Sequence, residues 1–139
     1  MPSVRGRLAL VIGFLSAYAL AQSSKPANPL VGQWRYVDQS NCVDTYQFET
    51  DGSFSSTSGS EALEGIYTAE PPTNPGEGYV VVRTILKGNG RPDCDGLVTN
   101  QIGKRNVRYV FFNGERNDLF VCPSPRAQDC FGPLRRAVP

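Results

Sequence analysis

The chain has 139 residues, with 14 Lys and Arg, 13 Asp and Glu, no His, and a formal charge of +1. The absence of His excludes Ser-His-Asp and Cys-His catalysis, His-ligated zinc and HExxH proteolysis together. The near-neutral balance gives no support for general nucleic-acid binding, and the length fits one domain with a modest core.

The chain opens MPSVRGRLALVIGFLSAYALA. Arg5 and Arg7 form a short basic region, Leu8 to Leu20 is almost wholly apolar, and Ala19-Leu20-Ala21 places small residues before polar Gln22. This is the three-part pattern of a secretory signal peptide, expected over residues 1–21 with cleavage after Ala21. The apolar run is short of the roughly 20 residues that span a bilayer, and no Cys follows it to carry a lipid anchor. The expected protein is therefore exported, periplasmic or secreted, without stable membrane insertion. Residues 22–29 are polar with two prolines and are expected to form a flexible tail. Residues 30–139 are expected to form a single β-barrel domain.

From Asp38 to Glu77 there are eight acidic residues and no Lys or Arg. From Arg83 to Arg136 there are ten basic residues and five acidic, with Lys104, Arg105 and Arg108 close together. Solvated charges on alternating strand faces explain this more simply than a basic patch for an anionic partner.

Turn-forming residues recur along the whole mature chain: Asp51-Gly52, Ser58-Gly59, Pro71-Pro72, Pro75-Gly76, Gly88-Asn89-Gly90 and Asn113-Gly114. Such breaks leave no room for long helices. Between them lie short β-rich runs with period-two alternation. Tyr46 and Phe48 alternate with Thr45, Gln47 and Glu49, while Val80, Val82 and Leu86 alternate with Val81, Arg83 and Lys87. The segment 107–121 reads as a hairpin about an Asn-Gly turn. The pattern predicts about eight strands, at 32–37, 44–50, 53–58, 63–69, 78–87, 97–103, 107–112 and 117–122. An all-β meander of this length closes most economically into a small up-and-down antiparallel barrel, which removes exposed edges. A two-sheet sandwich is the alternative.

Four cysteines, Cys42, Cys94, Cys122 and Cys130, in an exported chain point to two disulfides. There is no CxxC spacing for zinc or redox chemistry. In a meander, successive loops alternate between the barrel ends. Cys42 in the first loop and Cys94 in the fifth share an end, whereas Cys122 closes the last counted strand at the other end, with Cys130 shortly beyond. The expected pairing is Cys42–Cys94 and Cys122–Cys130.

The segment GQWRY, from Gly32 to Tyr36, resembles the Gly-x-Trp signature at the first strand of lipocalins and their calycin relatives. TYQFETDGSF and LEGIYTA resemble segments of small bacterial lipocalin-like proteins, and the mature chain is similar to a group of small exported bacterial proteins of unassigned function. The resemblance implies that Trp34 packs across the closed end of the barrel, with Arg135 or Arg136 supplying a cation over the indole. The chain is shorter than a typical lipocalin and lacks the helix after the barrel, which argues against a large cavity.

Tyr36, Tyr46, Phe48, Tyr67, Tyr109 and Phe111 are candidates to face the barrel interior and line a ligand pocket. Barrels of eight strands are just wide enough for side chains to fill, so filling is favoured over a pocket for these rings. RPDCDG lacks the carboxylates an EF-hand requires at its first and twelfth positions, and GNGRPDCDG lacks the ending of a phosphate loop. Glu49, Glu61, Glu64 and Glu70 are candidate carboxylates for glycoside hydrolysis only by their presence, and alternation places them outward.

The reading that results is an exported, non-catalytic binding protein, monomeric and without cofactor, for a small apolar ligand. The alternative is a periplasmic or secreted inhibitor of a protease or lysozyme, an envelope or extracellular partner protein, using AQSSKPANPL or EPPTNPGEG as the inserting segment. A passive envelope protein is the third reading.

Overall fold

The computed structural model describes residues 27–138, so the expected signal peptide and most of the expected tail lie outside the described residues. Eight strands follow in order: β1 (Gly32–Val37), β2 (Val43–Phe48), β3 (Ser53–Ser58), β4 (Glu61–Glu70), β5 (Tyr79–Gly88), β6 (Arg105–Phe112), β7 (Asp118–Cys122) and β8 (Phe131–Arg136). Each pairs antiparallel with its sequence neighbour, and β8 pairs with β1, giving a closed up-and-down barrel.

Local chemistry sets the hairpins. In the β2–β3 turn the Asp51 carboxylate accepts from both the backbone N–H and the hydroxyl of Ser53, which fixes a tight bend. Between β6 and β7 the chain does not turn on the Asn-Gly pair alone. The Asn113 side-chain oxygen accepts from the N–H groups of Asn117 and Asp118, and the positive φ falls on Arg116. The hairpin predicted there is present, with a longer loop.

Two assignments need correction. The run 97–103 is not a strand; it belongs to the long β5–β6 loop. Leu97, Val98 and Ile102 are all more than half exposed, and the place beside β5 is taken by β6, in register from Tyr79↔Val110 to Thr84↔Arg105. The eighth strand is instead Phe131–Arg136, which lies beyond the last strand expected from the sequence and contains Gly132-Pro133. Pro lacks a ladder N–H, and the β7–β8 register skips there, from Leu119↔Leu134 to Val121↔Phe131.

This substitution moves the second disulfide. The bridges are Cys42–Cys94 and Cys122–Cys130, as the pairing predicted. Cys122, however, ends β7 rather than the last strand. Its loop is the seventh, so both bridges lie at the same end of the barrel as the β1–β2 and β5–β6 loops, not at opposite ends. The β5–β6 loop is further held by Ser60 N–H to Pro92 O and by Cys94 N–H to the Ser58 hydroxyl.

Inward-facing side chains form one core: Leu30, Trp34, Phe48, Phe54, Leu63, Tyr67, Val81, Ile85, Val110, Leu119 and Leu134. At Gly65 the β4–β5 ladder shifts register. A Cβ there would overlap the Thr84 carbonyl oxygen and come within 2.7 Å of the Phe54 ring, so only glycine permits this approach.

The Cys42–Cys94 bridge spans 52 residues and Cys122–Cys130 spans 8. By the loop-entropy relation, the two constrain the unfolded chain by about 4 and about 2.5 kcal/mol. Replacing Cys42 and Cys94 by Ser is therefore expected to lower the urea midpoint more than replacing Cys122 and Cys130. Equal shifts would contradict the entropic assignment.

Candidate functional site

The closed end is built around Trp34, which is fully buried. Its indole N–H donates to the Leu30 carbonyl at 2.8 Å. The Arg136 guanidinium lies over the ring, 4.1 Å from its centroid. The same guanidinium donates to the carbonyls of Val31 (2.8 Å), Pro29 (2.8 Å) and Arg116 (3.2 Å). Of the two arginines considered from the sequence, Arg136 covers the indole, while Arg135 is solvent-exposed and faces Asp118 at 3.8 Å. Gly32 has φ +122°, and a Cβ there would meet the Arg136 Nη1 at 2.8 Å. The glycine of the Gly-x-Trp segment leaves room for the arginine.

The segment expected to be a loose tail is bound where it is described. Asn28 Nδ2 donates to the Tyr67 hydroxyl, which donates to the Glu49 carbonyl, and Leu30 is buried beneath Trp34. Of the segments considered for insertion into an enzyme cleft, AQSSKPANPL thus has its last three residues tied into the barrel floor.

Above this floor a cavity of about 330 Å3 remains. Leu30 and Trp34 form its bottom, and Phe48, Val81, Val110, Leu119, Val121 and Leu134 its walls. Tyr46, Arg83, Arg108, Pro123, Asp129 and Phe131 surround it toward the disulfide end. A second, polar space of about 290 Å3 shares Tyr46, Arg83 and Phe131 with it and adds Asp44, Ser56, Ser58, Glu61 and Gln101.

The six aromatic candidates divide. Tyr46 and Phe48 line the cavity. Tyr36 packs on Phe131 with ring centroids 4.4 Å apart. Tyr67 fills the closed end, edge-on to Phe48 at 4.9 Å. Tyr109 and Phe111 do not face the interior. They stand on the face of β6 opposite Val110, and Phe111 covers Gly78. The run 107–112 is apolar on both faces, so its parity was not legible; Val110 and Phe112 are the inward residues, Phe112 lying 5.9 Å from Trp34.

Alternation misled at two charged positions. On β5 the buried residues are Val81 and Ile85, and Arg83 between them points inward rather than to the wetter face. Its guanidinium carbon lies 5.6 Å from the Tyr46 ring and 5.4 Å from the Phe54 ring. Glu61, expected outward, is buried and accepts from Gln101 Nε2 at 3.3 Å. Asp44 Oδ1 is buried without a hydrogen-bond partner among the described residues.

Burial pushes the Tyr46 hydroxyl above its ordinary range, partly offset by the Arg83 charge. Burial lowers Arg83. At the closed end, burial raises Tyr67, with the charges of Asp51 and Glu49 adding to it. Asp38, Cys42 and Cys94 lie together, but both sulfurs are committed to the disulfide. Asp93, in the loop examined for calcium, accepts the N–H groups of Asp95 and Leu97 and so serves the turn.

The fold and site define a closed, disulfide-stapled eight-stranded barrel with an apolar interior cavity and a charged upper wall. No family model matches the chain, and no curated protein or solved structure matches it significantly.

Replacing Arg136 by Ala leaves three carbonyls without their donor and uncovers the indole. It is expected to cost about 2–4 kcal/mol and to red-shift Trp34 emission, with Arg136→Lys recovering part of the loss. Chemical denaturation followed by Trp34 fluorescence measures both, and a loss under about 0.5 kcal/mol would remove this plug from the account. Tyr46 holds its proton more tightly folded than unfolded. Its contribution is complete below pH ~10, the unfolded value, and is lost as pH rises through the folded value. Tyr46→Phe is expected to flatten the alkaline fall in melting temperature; an unchanged slope would assign that fall elsewhere, first to Tyr67.

Proposed function

We propose that this is an exported, non-catalytic binding protein of the lipocalin-like kind, which holds a small apolar molecule inside the barrel. The observation that carries this reading is the cavity of about 330 Å3 above Trp34. It reaches the lower end of the range typical of small-molecule sites, about 300–1,000 Å3. Its apolar lining includes Leu30, Trp34, Phe48, Val81, Val110, Leu119 and Leu134. Such a surface offers a ligand burial of apolar area at roughly 25 cal/mol per Å2.

The closed end is plugged by Trp34 and Arg136, so entry is from the disulfide end. There, two covalent bridges hold the loops that surround the mouth. Persistent disulfides fit an oxidising compartment, periplasmic or extracellular. The reading includes a monomer, since closure of the sheet leaves no unpaired edge to template association.

The test is to refold the protein without lipid, expose it to a lipid extract and examine it by native mass spectrometry. A retained small molecule is expected. Val121 lines the cavity and is only half-buried, so Val121→Phe sends its ring into the empty space. This variant is expected to keep or gain thermal stability and to lose at least tenfold in affinity for 1-octanol by calorimetry. Retention of nothing by the wild type, with no heat from 1-octanol, would overturn the reading.

A further inference from the structure

We propose that the molecule held in the barrel carries a single negative charge of the carboxylate class, seated on Arg83, with its alkyl or aryl body pointing down to Trp34. This rests on the reading of the interior as a binding site.

Arg83 is placed inside by the alternation that buries Val81 and Ile85 on either side of it. A guanidinium carries five N–H donors in a planar fork. Among the described residues, Arg83 makes no ion pair within 4.0 Å and no side-chain hydrogen bond. Its neighbours are instead the rings of Tyr46 and Phe54. Rings interact with the face of a guanidinium and leave its edge donors unused. Arg83 is half-buried, and a partly desolvated guanidinium facing a largely apolar cavity is a ready seat for an anion. A carboxylate accepts two parallel bonds from the fork.

The surrounding charges select for one negative charge. Arg108 is the second cation in the cavity wall, and Asp129 at the rim is the only carboxylate among the residues that line this cavity. Beyond Arg83, in the polar space at the mouth, stand Asp44, Glu61 and Asp93. Glu61 is held by Gln101, and Asp44 keeps an unpartnered buried oxygen. A dianionic head such as a phosphate would bring its second charge against these acids. Tyr46 adds a neutral hydroxyl beside the guanidinium, since burial keeps its proton on. The cavity of about 330 Å3 holds about ten water-sized groups at roughly 30 Å3 each, the size of a short fatty acid or a small aryl carboxylate.

The experiment compares sodium octanoate, 1-octanol and octyl phosphate on the refolded full-length mature protein at neutral pH. Calorimetry and Trp34 emission are the readouts. Wild type is expected to bind octanoate about ten- to a hundredfold more tightly than 1-octanol, the ratio of a charge-assisted hydrogen bond. Octyl phosphate is expected to bind more weakly than octanoate. In Arg83→Met the octanoate-to-octanol ratio should collapse to one or below, and in Arg83→Lys it should lie between. Equal or stronger binding of 1-octanol by wild type would overturn the head-group assignment while leaving the apolar-ligand reading intact. Binding of none of the three would overturn both. Octyl phosphate binding as tightly as octanoate would overturn the single-charge assignment. If Arg83→Met does not fold, the wild-type ratio and Arg83→Lys decide, and a ratio unchanged in Arg83→Lys would count against Arg83.

Discussion

The structure depends on how β8 is fastened to β1. This is a short seam, with only Trp34↔Arg136 and Arg35↔Arg135 in register. Without it the sheet has two open edges. The first of these pairs is also the plug, because the Arg136 guanidinium lies on the Trp34 indole while its N–H groups take three carbonyls from two separate turns. One side chain thus joins the end of the chain, the segment before β1 and the β6–β7 turn. An arginine suits this role because its planar face stacks while its edge donates. The arrangement requires Gly32, whose missing Cβ leaves space for Nη1.

Closing one end this way decides where the interior stays accessible. Leu30 and Trp34 are packed to exclusion of water, and Tyr67 ties the strap at Asn28 to the β2–β3 turn at Glu49. The opposite end has no such plug and is bounded by loops instead. Both disulfides lie there. Cys42–Cys94 draws the β5–β6 loop across to the β1–β2 loop, and Cys122–Cys130 closes the β7–β8 loop on itself. The covalent restraint falls on a segment with little apolar burial of its own, since the β5–β6 loop exposes Leu97, Val98 and Ile102.

The interior is graded along the barrel axis. Toward the closed end aromatic rings fill it in two groups, Trp34 and Tyr79 against Phe112, and Phe54 and Tyr67 against Phe48. Toward the disulfide end the inward positions become Ser56, Tyr46, Arg83, Asp44 and Glu61. A core built only for stability would place apolar side chains at these positions, because an unpaired buried charge opposes folding. Departures from a consistent core of this kind concentrate at sites of function.

How much was legible in the sequence depended on whether a signal was local. The Asp-Gly turn, the alternation of Tyr46 and Phe48, and the isolation of four cysteines are local facts. They were enough for an all-β meander. The disulfide pairing expected from it is the one present, although its premise of bridges at opposite ends of the barrel is not, since all four cysteines lie at one end. The parity of 107–112 and of 78–87 was not local. Both runs are apolar on two faces, so only the register against neighbouring strands could assign Val110, Val81 and Arg83 inward and Tyr109 and Phe111 outward. The last strand was obscured for a related reason: Gly132-Pro133 breaks the local pattern, and Phe131–Arg136 becomes a strand because β7 and β1 leave a gap of one strand between them. By itself, then, the sequence determined the strand-and-turn rhythm and the four cysteines of the covalent staples, while the tryptophan plug was an expectation from resemblance. Tertiary structure alone decided that both staples share one end, that Arg136 rather than Arg135 covers Trp34, and that Arg83 faces inward. Each of these follows from ring closure and register, which couple residues far apart in the chain.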